Sequence, residues 1–232
     1  MIALTRMRLA GFLRGGRAVA PLITVLVILG VIYGGGPSLA MHAYAYSAVC
    51  LFPVLAWLTK LLLDTEPDAQ RRLARLAVGP FREGAGGLLA AVLVASVVCL
   101  LAMLAPWPFG AIAPPRLGTA EPSTQTGILL GVLAHLLSMT AAVTLGALSG
   151  RAVTRRVLPG VVVLVSGSIL VIVLGLTGSI APWLVPPVMA TAREMGGDHP
   201  PNAATLLVLV VWTVLWCAVA LTGYAGLRRA RS

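Results

Sequence analysis

Residues 84–105 read GAGGLLAAVLVASVVCLLAMLA, an unbroken apolar run with no Asp, Glu, Lys or Arg. At 1.5 Å per residue a helix over this run is about 33 Å long, enough to cross the hydrocarbon core of a bilayer. Five more stretches have the same character, at residues 18–36, 39–59, 127–149, 157–180 and 203–227, again with no acidic or basic residue inside. The whole chain of 232 residues is 59% hydrophobic and only 10% charged, with a mean hydropathy of +0.97. A soluble domain carries about 25% charged residues. Too little polar surface is left to dissolve a fold of this size, so the expected class is an all-α membrane protein: a single transmembrane domain with six helices.

The net charge of +10 would suggest nucleic acid in a soluble protein. Its distribution excludes that partner. Arg6, Arg8, Arg14 and Arg17 precede the first span, while Lys60, Arg71, Arg72, Arg75 and Arg82 lie between the second and third. Arg151, Arg155 and Arg156 join the fourth to the fifth, and Arg228, Arg229 and Arg231 form the tail. Only Arg116 and Arg193 fall on the alternate side. The positive-inside rule then predicts both termini on the cytoplasmic side of a multi-pass protein of the inner (plasma) membrane. The basic residues before the first span, with Ser38-Leu39-Ala40 after it, also fit a cleavable secretory signal; its removal would leave five spans and put the other ends out of register.

The charge the spans avoid is concentrated in DTEPDAQRRLARLAVGP, residues 64–80. On a helical projection Arg71, Arg72 and Arg75 lie within about 100° of one another, with Ala69, Leu73, Leu76 and Ala77 on the opposite arc. Thr65 followed by Asp68 is a Thr-x-x-acid start with Pro67 in the first turn; Asp64, Glu66 and Asp68 sit where the helix dipole favours anions; Gly79 and Pro80 stop the helix. A short capped helix over about residues 66–78 is expected at the cytoplasmic face. Two roles fit it: lying in the headgroups with its arginines on anionic membrane lipid, or docking a cytoplasmic partner.

No enzyme signature is present. There is no G-x-x-x-x-G-K-[ST], H-E-x-x-H, G-x-S-x-G or C-x-x-C. Leu148-Ser149-Gly150 superficially resembles the serine motif of rhomboid-type intramembrane proteases. Ser149, however, abuts Arg151 at the end of its span, and His135 lies about 21 Å away along the same helix. His135, deep in its span, reads as a packing residue, and no span holds Asp, Glu, Lys or Arg, so carboxylate-driven ion coupling is not expected. Cys50, Cys99 and Cys217 fall within spans without paired spacing, and Asp198-His199 is too sparse for a metal site. No catalytic residue, metal site or bound cofactor is expected.

Six spans, both ends inside, and an amphipathic helix between spans two and three resemble the permease subunits of ABC-2 type exporters over essentially the whole chain. The resemblance implies a transport subunit whose ATP and Mg are bound by a separate cytoplasmic ABC ATPase. It identifies residues 1–17 with the family's N-terminal interfacial helix, although their apolar and basic positions do not segregate and Gly15-Gly16 interrupts them. It makes residues 66–78 the coupling helix, with Glu66, Asp68, Arg71, Arg72, Leu73, Arg75 and Leu76 as ATPase contacts and Arg151, Arg155 and Arg156 as a second contact. The loop APWLVPPVMATAREMGGDHPPN, residues 181–202, is similar to the re-entrant helices of an outer gate, with Trp183, Pro186 and Pro187 as gate residues, or is a plain exposed loop. Residues 106–126, rich in proline, are expected to be an irregular connection.

Half a transporter in this family has six spans, so a second permease copy is implied, as a homodimer or with a related permease. Gly127-x-x-x-Gly131 and Gly146-x-x-x-Gly150 allow close helix approach, between copies or within one. Uncharged spans suit export of an apolar or amphipathic cargo such as a lipid, drug or hydrophobic peptide. A haem-exporter-like permease has similar size and span count, but no tryptophan-rich haem motif is present. A membrane scaffold that recruits a different cytoplasmic partner is the alternative class.

Overall fold

The computed structural model describes residues 2–116, 118, 121–197 and 199–230, and the side chains of Asp68 and Ala230 are not among what it describes. Helix α1 (Ile2–Arg14) meets α2 (Val19–Gly34) at a 78° bend. Gly15 and Gly16 form that corner, and Gly16 takes a φ of +65°, which a side chain would resist. After β1 (Ser38–Leu39) come α3 (Ala40–Leu63), α4 (Asp68–Val78) and α5 (Pro80–Leu104). β2 (Ile112–Ala113) precedes α6 (Thr124–Leu148), α7 (Arg151–Thr154) and α8 (Val157–Leu174). A single 3₁₀ turn at Pro182–Leu184 leads to α9 (Val188–Met195) and α10 (Ala203–Ala230). Five helices are long and apolar enough to cross a membrane, or six if the bent α1–α2 pair counts as one span. The 16 residues of α2 reach about 24 Å, short of a full hydrocarbon core by themselves.

The centre of the bundle is the α3–α6 pair, and three glycines of α6 explain its closeness. A Cβ on Gly127 would stand 2.8 Å from Ala40 Cβ, one on Gly131 2.5 Å from Tyr44 Cβ, and one on Gly146 2.5 Å from Thr59 Cβ. Without side chains there, α3 lies against α6 along almost its full length and buries Tyr44, Leu51, Phe52, Leu55, Leu58 and Leu62. These glycines therefore pack within one chain. By contrast, α8 and α10 turn most of their apolar length outward, the pattern of helices solvated by lipid.

Three local expectations change. The fifth span ends at Leu174 rather than 180: Gly175 lies directly beneath Met189 of α9, and Gly178 turns the chain with φ +78°. The 106–126 connection contains β2, which pairs in parallel with β1 in the register Ser38 to Ile112 and Leu39 to Ala113. The start of α4 is not capped by Thr65, whose hydroxyl donates to Leu61 O at 2.8 Å; Pro67 occupies the N-cap without a side-chain bond. At the other end Gly79 adopts φ +85° and Pro80 opens α5. The stop is thus also a start, as proline's missing N–H allows.

The 181–202 loop is folded onto the bundle. Val188, Thr191 and Met195 are buried as α9 packs on α3 and α6. Arg193 donates to Gly175 O, His42 Nε2 to Gly197 O at 2.9 Å, and Trp216 Nε1 to Leu184 O at 2.9 Å. Asp198 lies outside the described residues.

Candidate functional site

The end of the bundle opposite the β1–β2 pair gathers the chain's charge into one buried cluster. Glu83, in the first turn of α5, is 2% exposed. Its Oε1 accepts from Arg8 Nη2 of α1 at 2.5 Å, and its Oε2 accepts from Arg75 Nε of α4 at 3.3 Å and from Arg228 Nη2 of α10. Arg8 also grips Glu66 in a two-pronged contact, Nε to Oε1 at 2.9 Å and Nη2 to Oε2 at 2.7 Å, and donates through Nη1 to Glu83 O at 3.0 Å. Burial works against the Arg8 charge. The hydrogen bonds and charges of Glu66 and Glu83 outweigh it, so the pKa rises above the ordinary arginine value and the guanidinium stays protonated.

The segment EGAGG, residues 83–87, makes this possible. A Cβ on Gly84 would collide with the Arg228 guanidinium, and one on Gly87 with that of Arg8. Small residues after the carboxylate let two large cations from distant helices reach it. A second set of contacts closes the end of α3. Asp64 Oδ2 accepts from Lys60 Nζ at 2.6 Å and Oδ1 from the Arg151 backbone N at 2.7 Å. The terminal carbonyls of α3 accept from cations: Leu63 O from Arg71 at 2.9 Å, and Asp64 O from Arg151 at 2.7 Å and Arg17 at 3.2 Å. Cations at a helix C-terminus satisfy its orphan carbonyls and its dipole.

This cluster sets the orientation of α4. Arg71 is buried and Arg75 half-buried, both facing the bundle, and Arg72 alone of the three stands in the open. The leucines are outside: Leu73 is 66% and Leu76 85% exposed, with Ala69 and Ala77 beside them. Glu66 is buried against Arg8 and presents no contact surface; the Asp68 side chain lies outside what is described. Buried Glu83 needs cations and the end of α3 needs donors, and α4 turns Arg75 toward the first and Arg71 toward the second. Arg151 bridges to the α3 terminus, while Arg155 and Arg156 are exposed in the turn before α8. At the far end Trp183 is exposed, whereas Pro186 and Pro187 are buried beneath α9, where Pro187 O accepts from Thr191 at 2.7 Å.

His135 belongs to a buried polar set. Its Nδ1 donates to Gly131 O at 2.8 Å, which fixes the tautomer, and Nε2 faces Ser47 Oγ at 3.3 Å. Tyr33 OH reaches the same Ser47 oxygen at 2.9 Å and the ring of Tyr44 meets the imidazole edge-on. Ser47 is fully buried. The arrangement satisfies polar groups buried between apolar helices and joins α2, α3, α5 and α6, since Tyr33 OH also lies 3.2 Å from Ala102 O.

Glu83 was not singled out in the sequence, while Lys60, Arg8 and Arg228 were read only for orientation and Asp64 only for the helix dipole. A usable signal was present: a lone carboxylate at a span edge followed by glycines, with surplus arginine at both chain ends. Among the described residues no three or more His, Cys, Asp or Glu side chains are grouped to hold a metal ion. No family model matches this chain, and neither a curated protein nor a solved structure matches it.

Proposed function

We propose that this chain is the permease subunit of an ATP-driven exporter of the ABC-2 type, with α4 as the element that meets the ATPase. One observation carries the reading: α4 shows a small apolar face, Leu73 and Leu76, to the exterior, while its opposite face is ion-paired into the bundle. A partner pushing on those leucines would load Arg75 and Glu83. From Glu83 the load passes to α5 by the chain itself, to α1 through Arg8 and to α10 through Arg228. Movement of α4 would in this way tilt several spans together. The contact set is accordingly Leu73 and Leu76 with exposed Arg72, and the Arg155–Arg156 turn as a second patch. Both chain ends face the cytoplasm in this reading, ATP and Mg belong to the partner, and two permease copies form the unit. Spans without charged groups through their middle suit an apolar or amphipathic cargo.

The test is affinity purification of the tagged chain from its native membrane, followed by ATPase assay of the eluate. Wild type should bring down ATPase activity, and the Leu73→Glu, Leu76→Glu double variant should lose it while its melting temperature in detergent stays unchanged. Reversing Arg71 and Arg75 is the poorer test, because it strips partners from Glu83 and the α3 terminus. An intact wild-type protein without any ATPase would replace the exporter reading by a membrane scaffold.

A further inference from the structure

A cavity of about 660 Å³ opens beside the charged cluster, between the last turn of α1, the α1–α2 corner and the α3–α4 connection. Arg8, Arg14 and Arg17 line it against a single carboxylate, Glu66. Both oxygens of Glu66 already accept from Arg8, so its charge is neutralised inside the wall. Arg17 uses one Nη on Asp64 O and keeps its other donors. Arg14 is exposed and carries no hydrogen bond or ion pair among the described residues. Gly11 and Gly15 leave the mouth open: a Cβ on Gly11 would meet only Thr65 Cγ2, at 3.9 Å. Arg14 keeps all of its donors and Arg17 all but one, and the two line an open volume of ligand size.

We infer that this cavity binds a phosphate group, held by Arg14 and Arg17 in the forked geometry that guanidinium offers phosphate oxygens. An anionic phospholipid headgroup is the source the surroundings favour. The cavity lies where the chain turns 78° into the apolar α2, and Val19, Ile23 and Val27 of that helix are exposed at one-turn spacing just beyond Arg17. A headgroup in the cavity leaves acyl chains alongside those residues, with the basic pocket at the headgroup level of the membrane. The site is separate from the outward leucines of α4 and does not depend on an ATPase partner.

The experiment is thermal unfolding of the delipidated full chain in a neutral detergent, with three additions: short-chain phosphatidylglycerol, short-chain phosphatidylcholine, or inorganic phosphate at equal concentration. Wild type should gain several degrees in Tm from phosphatidylglycerol and none from phosphatidylcholine. Arg14→Gln with Arg17→Gln should abolish the gain, and so should Gly11→Leu, which removes no charge and fills the cavity. Arg155→Gln with Arg156→Gln, a change of equal charge elsewhere, should retain it. A gain from inorganic phosphate that the same cavity variants lose supports the phosphate site and assigns it to a free ion. An equal response in wild type and cavity variants, or an equal response to phosphatidylcholine, overturns the proposal.

Discussion

Glu83 is the residue on which the charged end depends. Three arginines from three helices converge on one carboxylate with 2% of its surface exposed, and a neutral amide there would leave them facing each other. Breaking a buried pair by removing one partner costs about 3–5 kcal/mol, because the remaining charge stays desolvated. Glu83→Gln is therefore expected to lower stability by roughly that amount, measured by chemical or thermal unfolding in detergent micelles. Arg75→Gln should cost far less, about 1 kcal/mol or below, since its side chain is 19% exposed and its bond to Glu83 is 3.3 Å long. The reverse order would show that the carboxylate is not the hub. Glu83 was hard to read in the sequence because two of its three arginine partners lie 75 and 145 positions away. The one local sign was the run of glycines after the carboxylate, which leaves room for partners without naming them.

Among the elements, the α3–α6 contact leaves little tolerance. Gly131→Ala would place a methyl 2.5 Å from Tyr44 Cβ, and overpacking of this kind costs about 1–3 kcal/mol. Gly30→Ala and Gly223→Ala meet no atom within 4 Å and should be neutral or gain up to about 1 kcal/mol from helix propensity. Melting temperatures of the three variants in one detergent decide the point; an unchanged Gly131→Ala protein would mean the two helices are farther apart than described here. The glycine spacing was legible in the sequence, but its partner was not, since a G-x-x-x-G ridge fits a neighbouring helix of the same chain or of another copy equally well. The amphipathicity of α4 was legible in the same partial way. A 100° projection separates arginines from leucines without saying which arc faces in, and buried Glu83 with the carbonyl end of α3 decided it.

On the scale of the whole molecule, α1, the α3–α4 connection, α7 and the end of α10 meet at one end, and the β1–β2 pair lies at the other. If the basic end is cytoplasmic, as charge bias predicts, opposite ends should label from opposite sides. With Cys50, Cys99 and Cys217 replaced by Ala, Trp107→Cys should react with an impermeant maleimide in intact cells. Arg155→Cys should react only after permeabilisation. Labelling of Arg155→Cys from outside would reverse the orientation and remove the α4 face from any cytoplasmic partner.

Sequence alone determined that the chain is helical, where most of its long apolar segments lie, and that a short charged helix interrupts them. Those features follow from local causes: a bilayer demands about 20 apolar residues per span, and glycine and proline end helices wherever they stand. The tertiary structure alone decided which side of α4 is outward, that α1 buries Thr5 and Arg8, that the fifth span stops at Leu174, and that residues 112–113 form a strand. Each of these depends on a partner far along the chain. A cation turns inward when a carboxylate is buried nearby, and a helix ends early when another helix folds across its last turn.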